Sequence, residues 1–68
     1  MREPKLERNI RMYIGRSRGV SLTEVARYEN VTKARAYQII TATEYQLATG
    51  NPMYWAEFHA QSGTYARI

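Results

Sequence analysis

The side chains best equipped for chemistry in this sequence are recognition groups, not reactive ones. Gln38 can pair with an adenine edge through both ends of its amide, and Arg35 can fork onto a guanine. Thr41 carries a methyl group that suits a thymine methyl, while Lys33 and Tyr37 suit phosphate oxygens. Thr32 stands at the head of the same run. Ser21 and Thr23 mark a second helix start, where backbone N–H groups and the helix dipole favour a phosphate. Reactive constellations are excluded by composition. The chain has no cysteine and no aspartate, a single histidine (His59), and six glutamates spread from end to end. Disulfides, thiolate sites and multi-histidine zinc chemistry are therefore ruled out within one chain. No metal or other cofactor and no small-molecule ligand is expected, and no grouping of residues makes an enzyme.

The elements that must position these groups can be read from caps and periodicity. Pro4 suits a first helical turn, and Leu6, Ile10, Tyr13 and Ile14 follow at helical spacing, predicting a helix over about residues 4–16. Its other face is basic, and Arg8, Arg11, Arg16 and Arg18 are expected to reach phosphates. Ser21-Leu22-Thr23-Glu24 reads as a capping box, with Val20 and Val25 placed for a hydrophobic staple. A short helix thus starts at Leu22 and buries Leu22, Val25 and Ala26. Asn30 tolerates a left-handed cap, and Val31 follows as the apolar residue that packs back.

Thr32 then caps a longer helix with no breaker before Gly50. Its apolar stripe is Ala36, Ile39, Ile40, Thr43 and Leu47. The opposite face is Ala34, Tyr37, Gln38, Thr41 and Tyr45, almost uncharged yet rich in hydrogen-bonding groups. A purely solvated face of that length would carry several Lys and Glu, which marks this one as a contact surface.

Beyond Gly50 two readings compete. Asn51-Pro52 can open a helix through Tyr54, Trp55 and Phe58 that stops at Gly63. Alternatively, residues 53–59 form a strand, Gln61-Ser62-Gly63 a turn and residues 64–68 a returning strand. The hairpin is the expectation here, because it sets Phe58 opposite Tyr65 and brings Trp55 to Ile68, whereas a short helix leaves both C-terminal residues without a role.

Size and charge narrow the partner. Sixty-eight residues allow one domain, expected to span 1–68, that buries only about 60% of its unfolded surface. Lys and Arg total ten against six acids, for a net charge of +4 and a pI near 9.8. Nine of the ten cations precede residue 36, whereas six of the eight aromatic residues follow it. That segregation suggests a nucleic-acid footprint in the first half and an association surface in the second, with Tyr54 and Tyr65 as its outer residues. No basic–apolar–small leader and no apolar run of roughly 18 residues occurs, so a cytoplasmic protein that does not enter membranes is expected.

Two helices joined at Asn30, the second one longer, form the pattern of a helix-turn-helix, and the window Leu22 to Thr41 resembles that family. Val25 takes its first buried position, Ala26 the position where only a small side chain lets the helices approach, and Ile39 the late apolar position. Glu29 stands where an apolar residue is common, Asn30 where glycine is usual, and Ala36 is smaller than the usual branched residue. With a helix before it and a hairpin after it, the layout is similar to the small winged-helix regulators of fimbrial operons, with Val20 supplying the extra short strand. The resemblance implies a mainly α fold with a small C-terminal β-hairpin, a three-helix winged helix-turn-helix; the alternative is an all-α four-helix repressor-like domain. It also implies a transcriptional regulator that binds specific double-stranded DNA with residues 32–48, as a homodimer or with a second regulatory protein. A wing tip at residues 60–64 without Lys or Arg would add little affinity. The competing readings are a small adaptor or antagonist of a larger DNA-binding protein, and an RNA-binding module.

Overall fold

Four helices follow one another in the computed structural model, which describes the backbone of residues 4–66 and the side chains of residues 5–62. They are α1 (Pro4–Ser17), α2 (Leu22–Glu29), α3 (Lys33–Ala48) and α4 (Pro52–Ala66). The first three end in the same device. A residue in the left-handed region follows each helix: Gly19 at φ 98°, Asn30 at φ 61° and Gly50 at φ 81°. At each corner the next residue's N–H reaches back five positions, Val20 to Gly15 O (3.0 Å), Val31 to Ala26 O (3.0 Å) and Asn51 to Gln46 O (3.1 Å). The left-handed residue itself donates three positions back, to Arg16, Arg27 and Leu47 respectively. These are Schellman caps, which satisfy the last carbonyls of a helix and turn the chain sharply away.

The helix starts are equally local. Ser21 Oγ accepts from Glu24 N and Thr32 Oγ1 from Arg35 N, each at 3.1 Å, so both hydroxyls cap as the sequence indicates. The reverse arm of the capping box does not form; the Glu24 carboxylate lies 4.0 Å from Arg27 instead.

Because α1 buries two faces, it is the spine of the fold. Met12 joins Val25, Ala26, Ala36 and Ile39 in one core cluster, with Leu22, Val31 and Ile40 packed against it. Ile10 and Ile14, on α1's other side, join Leu47 in a second cluster flanked by Leu6, Tyr13, Tyr54 and Phe58. The fully buried Ala36 and the flexible, adaptable Met12 share the first cluster. Thr43, 1% exposed, lies on the same buried stripe of α3, and its hydroxyl is satisfied by the Ile39 carbonyl at 2.8 Å.

The expected C-terminal hairpin is not present: residues 52–66 are one helix, and no strand occurs among the described residues. The winged form is thereby replaced by four helices. Asn51 Oδ1 accepts from Met53 N (3.0 Å) and Asn51 O from Trp55 N (3.1 Å), which fixes a helical first turn with Pro52 at its start. Tyr54, Phe58 and Gln61 then recur every three to four residues. The two aromatic side chains pack on the second core cluster, and Gln61 Nε2 donates to Glu7 O of α1 at 3.1 Å and to Glu57 at 2.7 Å. Packing of this stripe outweighs the roughly 1 kcal/mol that an internal glycine such as Gly63 costs a helix. Val20 forms no third strand either; it sits in the α1–α2 corner, 41% exposed, where its N–H closes α1. The pairings expected for Tyr65 and Ile68 involve side chains outside the described residues.

Candidate nucleic-acid interface

The outer face of α3 is open along its length. Ala34, Tyr37, Gln38, Thr41 and Tyr45 are all exposed, Tyr37 at 62% and Tyr45 at 65%, so neither tyrosine serves the core. Lys33 and Arg35 are exposed in the first turn. Ala36, Ile39, Thr43 and Leu47 are buried on the other side, which fixes the rotation of α3 and hence which side chains face out. The stripe and its opposite face are those the sequence predicts. Thr32 precedes this helix and is exposed, with its hydroxyl oxygen engaged as the cap.

Ser21 and Thr23 are exposed at the start of α2. The four expected phosphate contacts divide. Arg16 and Arg18 are exposed at the end of α1, next in the chain to the Ser21 cap, and Arg16 Nη1 donates to Val20 O at 2.7 Å across that corner. Arg8 and Arg11 are half-buried. Arg8 Nε is buried with no acceptor among the described residues, and Nη2 lies 3.5 Å from Asn9 Oδ1. Arg11 donates through Nε and Nη2 to the two carboxylate oxygens of Glu29, at 2.6 and 2.8 Å. Its guanidinium is thus already turned to a carboxylate.

The aromatic half is less available than its composition suggests. Tyr54 is half-buried and packs with Leu6, Tyr13 and Phe58 against the second core cluster. Phe58 meets Tyr13 and Trp55 edge to face, at centroid distances of 6.1 and 5.4 Å. Trp55 is 38% exposed, and its Nε1 donates to Leu47 O at 2.8 Å, tying α4 to the end of α3. The side chain of Tyr65 lies outside the described residues.

One residue beside the site gains its physical reason only from the structure. Glu29 was an anomaly in the helix-turn-helix window, and the structure supplies its partner, Arg11, 18 residues earlier. A buried acid at an apolar position needs a cation, and the basic face of α1 offered several; nothing in the spacing singles out Arg11. Met53 is 61% exposed at the start of α4. Among the described residues no three metal-ligating side chains converge, and no helix is long and apolar enough to cross a membrane. Compared with protein-family models, curated proteins and solved structures, the chain finds no match.

Proposed function

We propose that this chain is a sequence-specific duplex-DNA-binding regulator that lays α3 in the major groove. The observation that carries this reading is the exposed face of Ala34, Tyr37, Gln38, Thr41 and Tyr45, which presents small and hydrogen-bonding groups where a solvated helix would present charge. Gln38 and Thr41 read base edges, Arg35 reads a base near the start of the helix, and Lys33 and Tyr37 hold the backbone. Arg16, Arg18 and the N-terminus of α2 at Ser21 and Thr23 add phosphate contacts. A module of this size reaches about half a dozen phosphates, so tight binding requires a second copy or a partner protein.

The test is selection of bound sequences from a random duplex pool, followed by affinity measurements at several salt concentrations. An enriched motif whose affinity falls with salt supports the reading, and the spacing of half-sites reports whether two copies bind. If single-stranded RNA displaces the duplex, the chain is an RNA-binding module. If no nucleic acid binds, the adaptor reading takes its place, with the exposed Met53 and Trp55 as its first residues to examine.

A further inference from the structure

We infer that the Arg11–Glu29 pair is a positioning device for the reading helix, setting the direction in which α3 leaves the Asn30 turn. This inference rests on the DNA-binding reading above. Glu29 is the last residue of α2, Asn30 is the left-handed corner, and α3 begins three residues later. The Glu29 side chain is 8% exposed and the Arg11 side chain 41%. Two parallel bonds of 2.6 and 2.8 Å join the nitrogens of one to the oxygens of the other. A fork of this kind fixes orientation as well as distance, because both planar groups must share a plane.

The other forces at this corner are less directional. Met12, Val25, Ala26, Ala36 and Ile39 hold α1, α2 and α3 together by apolar burial, which sets the buried face of α3 but supplies no directional bond at the Asn30 corner. The Schellman bonds at Asn30 shape the turn locally but do not relate it to α1. Only a group anchored on α1 can do that, and Arg11 is one. Stability is a poor reason for the pair, since burying the Glu29 carboxylate offsets much of its attraction to the partly exposed Arg11, and an apolar pair of similar volume is often as stable. What the fork supplies is geometry at the point where the recognition helix emerges. It also removes Arg11 from the cations expected to touch phosphate, since that charge is compensated within the protein.

The experiment measures duplex affinity over a range of salt for wild type and three variants, on the sequence that wild type enriches. Circular dichroism melts first set a temperature at which all are folded. Glu29→Gln removes a negative charge from a DNA-binding protein, and electrostatics alone would tighten its binding. The positioning role demands the opposite: affinity falls about tenfold, the value of one well-aligned base contact, with an unchanged salt slope. The double variant Arg11→Met/Glu29→Met, which replaces the fork by flexible apolar chains, stays as stable as wild type yet also binds more weakly. The reversed pair Arg11→Glu/Glu29→Arg recovers affinity. Tighter or unchanged binding by Glu29→Gln overturns the inference, as does wild-type affinity of the double methionine variant. So does a salt slope that falls by about one in the double methionine variant, which would make Arg11 a phosphate contact. These outcomes leave the DNA-binding reading standing, whereas a wild-type chain that enriches no sequence removes both.

Discussion

Replacing Asn30 isolates the backbone contribution of the corner between α2 and α3. Its φ of 61° and ψ of 43° lie in the left-handed region, its side chain is exposed, and among the described residues that side chain makes no hydrogen bond. Truncation therefore removes no hydrogen bond, and the main effect comes from the conformation itself. An ordinary L-residue pays roughly 1–2 kcal/mol to adopt this conformation, with asparagine among the residues that visit it most readily. Asn30→Ala should accordingly cost about 1 kcal/mol. Asn30→Gly removes the steric penalty but adds freedom to the unfolded chain, worth about 0.4–1 kcal/mol in the opposite sense, so the two effects nearly cancel. Asn30→Val, β-branched at Cβ, should be the worst of the three. In a domain of this size 1 kcal/mol shifts the melting temperature by about 4–8 °C. Thermal melts followed by circular dichroism should rank wild type and Asn30→Gly together, Asn30→Ala lower and Asn30→Val lowest. Equal melting temperatures for the alanine and glycine variants would refute the reasoning and locate the stability of the corner elsewhere.

Other substitutions probe the reading surface and the core. Gln38→Ala should leave the melting temperature unchanged and cost about 1–3 kcal/mol in DNA affinity, with loss of preference at one base position in a repeated sequence selection. Trp55→Phe keeps the ring packing on Phe58 but deletes the donor to Leu47 O; denaturant titration should show a loss of about 1 kcal/mol. Ile10→Ala, at a site with 0% exposure, should cost about 2–5 kcal/mol, a large part of the total for a chain this short, and near-ultraviolet dichroism should show loss of fixed aromatic packing. Tyr54→Ala should lower stability through the second core cluster, whereas Tyr45→Ala should leave stability unchanged, so equal melts for the two would contradict their assigned burial.

What the sequence made legible was local. Serine and threonine caps, the left-handed Asn30 and the three-to-four-residue stripe of α3 each involve residues within one or two turns of each other, and their physics is complete in a short window. The C-terminal segment was not legible for the same reason. Its run of Met53, Tyr54, Trp55 and Phe58 is apolar without clear period, and Gly63 reads equally as a stop or as a tolerated helical residue. The choice is made by α1, which offers Tyr13 and the Glu7 carbonyl to a helical Phe58 and Gln61. The Arg11–Glu29 fork is likewise a through-space event between residues whose charges alone do not identify each other.

The repeated corner has a consequence for how the chain reaches this fold. Each of the three caps closes over six residues, and the starts of α2 and α3 are capped from within their own first turns, so the corners joining α1, α2 and α3 can form with little loop-closure entropy. Local contacts of this kind place the chain among fast folders. The contacts between α1 and α4 differ: the Glu7–Gln61 bond joins residues 54 apart, and the Tyr13–Phe58 ring contact spans nearly as far along the chain. The smallest loop-closure cost thus falls on the corners of the first three helices, and the largest on the packing of α4 against α1.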